Sequence, residues 1–418
     1  MDKISKSSQK GKNSQNRKGR RKQRTALLAG GMLFVIVALN TAAWNSTAFS
    51  DWYIDNIFRV WVSLYGGFTG LFPFSVGEWM LGAGGLLIAI GVLLGLAMAG
   101  TGLVGKLREG SWRRGLGSFA AGYYRFLGWT VLVVALVMTL NCFILYHGST
   151  FSEQYFGEDS GEYELTELIA IYNRVTEECN RLAVEMERDD RGRALYTGTD
   201  GSLGKLDAKS GLRDMADCAA RLMQELGEEY PRLRGFYPRP KALLSSDFMC
   251  QQYMQGYYFP FSMEANYNSV MYSLNIPATM CHELAHLKGY IFEDEANFIG
   301  YLACIQSEDA FIRYSGYLSV FNYLYRDLKR AERESQMSYE RAAAVIAPVV
   351  PDSLVWEDNI FVTEEEWDRI NKTALLDTEL VDQVSDTFID TSLKMNGVTD
   401  GAVSYSRVVK LLLQYYSD

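Results

Sequence analysis

Three stretches without a charge decide what this 418-residue chain can become. Residues 25–44, 79–104 and 126–146 are apolar and uncharged, each with Trp or Tyr near an end. At 1.5 Å per residue, a helix of about 20 residues crosses a hydrocarbon layer ~30 Å thick, and aromatic rings mark its two interfaces. Three transmembrane helices are expected. A cleaved leader is the rival reading of the first stretch, but its apolar region would be only about 7 to 15 residues, and further spans follow.

Charge orients these spans. Residues 1–24 hold ten basic side chains among Ser, Gln, Asn and Gly, and are read as a disordered cytoplasmic tail. The loop with Lys106, Arg108, Arg113 and Arg114 is placed on the same side, because basic loops stay cytoplasmic. Three crossings then leave everything after His147 outside. Residues 60–77 complicate this, being 18 uncharged residues long enough for a fourth span. Gly66, Gly67, Gly70 and Pro73 interrupt them, so the segment from about 56 to 77 is read as interfacial or re-entrant within a membrane domain covering 25–147.

The remainder, 148–418, is acidic. Residues 1–150 carry 16 basic and 5 acidic side chains, a net +11, whereas the rest carries 25 and 45, a net −20. A basic first third followed by an acidic domain of this size argues against nucleic acid as its partner. Residues 148–163 read as an acidic linker. Leu165, Leu168, Tyr172, Val175, Cys179, Leu182 and Met186 fall on one helical face, as do Leu212, Met215, Ala219, Leu222 and Leu226. Between them, 198–211 reads as a loop. Gly256, Tyr257, Tyr258 and Phe259 are β-prone and precede Pro260, which suits an edge strand. Such a strand can hold an extended peptide by main-chain hydrogen bonds, or can simply be core.

The chemistry concentrates at His282-Glu283-Leu284-Ala285-His286. Positions i and i+4 of a helix lie on one face about 6 Å apart along the axis, so both imidazoles can bind one tetrahedral Zn²⁺. Glu283, about 100° round the helix, falls beside the metal, where a carboxylate takes a proton from a polarised water. With three histidines in the chain, chance gives this HExxH pattern on the order of once in five hundred such sequences. Asn275 and Pro277 frame its start and Gly289 its end, for a helix of about 12 residues.

A third ligand must come from a carboxylate, since His147 lies beside an apolar span. A metzincin would carry a ligand where Phe292 stands. Glu293 with Asn297 four residues on resembles the gluzincin pattern, in which a Glu on a second helix binds zinc and the Asp or Asn one turn later holds an imidazole N–H; on that resemblance Glu293 is the expected ligand and Glu295 the alternative. These acids could also serve only to neutralise a helix N-terminus. The six cysteines form no disulfide framework. Cys142 lies in a span, and Cys179, Cys218, Cys250, Cys281 and Cys304 sit in apolar contexts as buried thiols. Cys281 projects about 100° from His282 and is not a ligand.

Toward the C-terminus, Val381, Val384, Phe388, Ile389 and Leu393 suggest a helix, followed by turns at Asn396-Gly397 and Asp400-Gly401 and a second helix over 408–416. Tyr405 and Arg407 then stand at a helix start. There they can stabilise an oxyanion or hold a substrate carboxylate, or merely cap and pack.

These residues resemble a family of uncharacterised bacterial membrane proteins grouped with zinc-dependent gluzincin-like peptidases. The resemblance spans nearly everything after the basic tail. It rests on Pro73-Phe74-Ser75-Val76-Gly77-Glu78, on Tyr258-Phe259-Pro260-Phe261 with Glu264-Ala265-Asn266, on the HELAH run, on Glu293 to Phe298 and on Gly401 to Val409. The resemblance implies three spans and an α+β, mostly helical, zincin-like extracytoplasmic domain at the bacterial cytoplasmic membrane. The gap from His286 to Glu293 is shorter than in related gluzincins. The expectation is a membrane-anchored zinc metallopeptidase acting on peptide or protein substrates at the cell surface, with lipid as its other partner. A zinc-dependent ligand sensor without turnover is the alternative, although no cytoplasmic signalling domain is evident. Intramembrane proteolysis is disfavoured by Lys288, Glu293, Asp294 and Glu295 around the motif.

Overall fold

A computed structural model describes residues 2–104, 111–157, 163–198, 208–374, 378, 379, 383 and 406–417. The chain divides into two compact units, 1–46 with 80–144 and 47–79 with 145–418.

The first unit is helical. Its helices are α1 (Asp2–Asn45), most of α3 (Val76–Val104) and α4 (Ser111–Met138), which ends in a π turn over Thr139–Phe143; the short helix α2 (Thr47–Tyr53), between α1 and α3 in the chain, belongs to the second unit. Three stretches are long and apolar enough to cross a membrane: Gln23–Asn45, Val76–Gly100 and Gly115–His147. Helix α1 begins at Asp2, where the sequence suggests a disordered tail. The tail contains no proline, and residues added to an existing helix escape the cost of nucleation. Polar ties within the unit are few. Asn40 Nδ2 donates to Thr139 Oγ1 at 2.9 Å, and the Tyr124 hydroxyl donates to the Gly91 carbonyl at 2.7 Å.

The second unit includes residues 47–79, which the sequence assigns to the membrane domain. From Thr47 to Thr69 the backbone alternates α turns with π turns at Ile54–Phe58 and Val62–Gly66. The buried positions explain the alternation. Ser50, Ile54, Phe58, Val62 and Gly66 recur every fourth residue, whereas an α-helix overshoots a four-residue repeat by about 40° each time. Slower-winding π turns cancel that drift and keep one face on the domain. Lys241 and Glu264 form a buried ion pair that anchors the end of this segment. The lysine donates to the Thr69 carbonyl at 2.7 Å, and the carboxylate accepts from the Gly77 amide at 2.8 Å. These bonds start α3 at Val76, three residues before the charge-free stretch begins.

Helices α5 (Leu165–Glu185) and α6 (Ala208–Glu229) bury their apolar stripes. A five-residue helix, Phe151–Tyr155, interrupts the stretch read as a linker. Thr150 and Glu153 form its capping box, and Phe151 is fully buried. A small mixed sheet follows. Its strands are β1 (Lys241–Ala242), β2 (Gly256–Phe259) and β3 (Glu264–Tyr267), in the order β1-β3-β2, with β1 parallel and β2 antiparallel to β3. Helix α7 (Ile276–His286) lies at the centre, packed by α6, β2, β3, α8 (Glu293–Ile305) and α9 (Ala310–Glu334). Helix α10 (Ser406–Ser417) covers α8 and α9. All but residue 383 of the expected helix over 381–393, and the turns at 396–401, lie outside the described residues, as does most of loop 198–211.

Candidate metal centre

Helix α7 is apolar and buried on nearly every side, so its two histidines and one glutamate are the exceptions that need partners. Pro277 sits in its first turn, but the Asn275 side chain does not cap it, donating instead to the Ile360 carbonyl at 2.9 Å. Gly289 takes φ +91°, a left-handed conformation that suits glycine, and turns the chain sharply into α8. Helix α8 can then lie close against α7 because Gly300 faces it. A Cβ there would stand 3.0 Å from the Ala278 carbonyl oxygen and 3.1 Å from the His282 nitrogen. The short gap after His286 is thus closed by one glycine turn and one glycine contact.

This packing brings His282, His286 and Glu293 together, with ligand atoms all within 4.8 Å of one another. The two Nε2 atoms are 3.2 Å apart, and Glu293 Oε2 lies 3.1 Å from His282 Nε2. The opposite ring nitrogens are held by oxygens. His286 Nδ1 is 2.7 Å from the Tyr290 carbonyl, which can only accept, so that nitrogen carries the proton and Nε2 presents a lone pair. His282 Nδ1 is 2.9 Å from Asn297 Oδ1, while the Asn297 amide donates to the Tyr323 hydroxyl at 3.1 Å. Both imidazoles are thereby oriented as metal ligands usually are. A tetrahedral zinc with Zn–N of about 2.0–2.1 Å separates two nitrogens by roughly 3.4 Å, close to the spacing found here.

Electrostatics point the same way. Burial opposes a charge on His282, yet the hydrogen bond and charge of Glu293, with Glu283 behind it, raise its pKa to about 9. Burial lowers His286 to about 4. Against its own desolvation, Glu293 is held down to about 2 by His282 and His286. The ionised Glu293 carboxylate thus favours positive charge at His282, while burial keeps His286 neutral with a lone pair to offer. His282, His286 and Glu283 are nearly enclosed, whereas the Glu293 side chain is 55% exposed, leaving one open side.

Glu283 lies beside the cluster, its Oε1 3.9 Å from His282 Nε2. Its other carboxylate oxygen is buried without a hydrogen-bond partner among the described residues, and burial raises the group to about 8. Gly256, at the start of the outer strand β2, lies directly against it. A Cβ at Gly256 would meet Glu283 Oε1 at 2.7 Å and the Asn266 carbonyl at 2.5 Å. Tyr258, two residues along the same face, has its ring 6.2 Å from that of His286. Tyr257 and Phe259 project to the opposite face, and Phe259 is buried.

The other candidates fall elsewhere. Glu295, the alternative ligand, is buried and accepts a hydrogen bond from the Phe151 amide, because on α8 it points about 200° away from Glu293. Arg407 stands in the first turn of α10, where its charge acts on buried Asp294. Tyr405 lies outside the described residues. All six cysteines are free thiols, with Cys281 and Cys304 Sγ 3.9 Å apart. Sequence reasoning overlooked the Tyr290 carbonyl, Tyr323 behind Asn297 and Gly300, while it read Gly256 only as part of a strand able to hold a peptide. A glycine inside an otherwise regular helix was the one available signal for the last of these.

A family model described as "Protein of unknown function (DUF3810)" matches residues 53–413, and the chain belongs to that family. No curated protein matches. No solved structure matches either.

Proposed function

We propose that this member of the family of unknown function is a membrane-anchored zinc metallopeptidase with a zincin-like domain outside the cytoplasmic membrane. The observation that carries the reading is the convergence of two oriented imidazoles and a carboxylate beside a buried carboxylate with an unpartnered oxygen. His282, His286 and Glu293 would hold the metal, and Asn297 and the Tyr290 carbonyl keep the rings turned toward it. Zinc bound there would polarise an amide carbonyl, lower the pKa of a water and favour ionised Glu283. Glu283 then accepts the proton of the attacking water and passes one to the leaving amine. Gly256 lets the β2 backbone lie directly against that carboxylate, so an extended peptide paired by main-chain hydrogen bonds with the outer edge of β2 would run close to the base. The half-exposed side at Glu293 is the route for water and substrate.

The purified full-length chain should cleave an unbiased peptide library, lose that activity to a chelator and regain it with zinc. A chain that binds no zinc would end this reading. Orientation is tested in intact cells. A cysteine replacing exposed Ser353 should react with a membrane-impermeant maleimide, whereas one replacing Gln23 should not. The reverse pattern would put the metal domain inside.

A further inference from the structure

The metal unit carries an apolar surface of its own. On the run from Thr47 to Thr69 the face opposite the buried stripe shows Ile57, Val60, Trp61, Leu64 and Phe68, and Leu71 continues it. Leu64 is 69% exposed and Leu71 78%. These positions recur three or four residues apart, so they form one stripe, and residues 60–77 contain no charge that would suit it to water. A contiguous apolar patch of this kind marks an interaction surface.

Chain connectivity identifies what covers it. The run begins two residues after the apolar stretch Gln23–Asn45 and ends just before the stretch that starts at Val76. Both of its ends are therefore at a membrane boundary, and a helix with one apolar outer face between two such ends lies in the interface plane. The same segment is rigidly part of the metal unit. Ile54 packs on Gly289 at the exit of the metal helix, where a Cβ would stand 2.7 Å from Ile54 Cγ2. Gly77 packs on Phe259, one end of β2, while Gly256, the other end, packs on Glu283. Three steps of ~3.3 Å along β2 put the base about 10 Å from Gly77, just past the segment, comparable to the 5–10 Å to which interfacial helices sink.

We propose that residues 47–74 insert into the lipid interface as a monotopic face of the metal unit, so that its cleft takes peptides that are themselves held at the bilayer surface. The substrate half of this inference rests on the peptidase reading; the lipid contact does not.

The test uses the full chain, in a Cys142→Ala background, reconstituted in phosphatidylcholine–phosphatidylglycerol vesicles. Spin labels at Ile57→Cys, Leu64→Cys and Leu71→Cys should collide with oxygen in preference to a water-soluble nickel chelate, and one at Ser353→Cys should show the reverse. Water-like behaviour at the three positions, or shielding from both probes as under a second protein copy, overturns the lipid contact. The double variant Leu64→Asp, Leu71→Asp should keep its zinc and its cleavage of a soluble peptide, but lose about tenfold on the same peptide carrying a palmitoyl chain. Equal loss on both peptides, or on neither, overturns the substrate half. If the unsubstituted chain cuts neither peptide, the peptidase reading fails, and the spin labels alone decide the surface.

Discussion

Glu283→Gln should leave zinc binding intact while lowering kcat/KM by about 10²- to 10⁴-fold, the usual contribution of a positioned general base. The substitution deletes the proton acceptor and keeps all three proposed ligands. It should also fold well. Burial already favours the neutral form of this carboxyl, so an amide of the same shape leaves no new buried charge. Metal content of the purified variant, measured beside turnover of a cleaved library peptide, checks both halves. Loss of zinc would make Glu283 a ligand rather than a base.

The second large effect concerns Glu293. Glu293→Ala should strip the metal, because its carboxylate oxygens are the only acidic donors among the described residues that converge on both Nε2 atoms. Asn297→Ala should cost about 10- to 100-fold in zinc affinity, since it frees the His282 ring without removing a ligand. Glu295→Ala should spare zinc affinity. That carboxylate serves the Phe151 amide, and its loss leaves a buried N–H unpaired, a penalty of about 1–3 kcal/mol in stability. Titrating zinc into the three variants, with thermal unfolding alongside, separates the outcomes. A Glu295→Ala chain that folds but cannot hold zinc would move the ligand by two positions.

Much of the candidate site was legible because it is local. His282, Glu283 and His286 share one helix, and the spacing of Glu293 and Asn297 on the next follows the same helical geometry. The three helices long and apolar enough to cross a membrane were legible for a similar reason: a charge-free run of 20 residues has few alternatives in water. The apolar stripes of α5 and α6 likewise announced their buried faces.

What the tertiary structure decided is everything that depends on two segments meeting. The sequence offers Glu293 as the expected ligand and Glu295 as the alternative, and that Glu293 is the one brought beside the imidazoles follows from how closely α8 approaches α7 at Gly300. The strand beside Glu283 is Gly256 because any side chain there would collide with the carboxylate, a fact set by contact across the sheet. Residues 60–77 read as a membrane-domain segment by composition, yet Lys241, Glu264 and the four-residue buried stripe join them to the metal unit. Periodicity reports which face of one element is apolar. Which neighbour covers that face, and which buried oxygen waits beside a cluster, depends on packing between residues far apart in the chain.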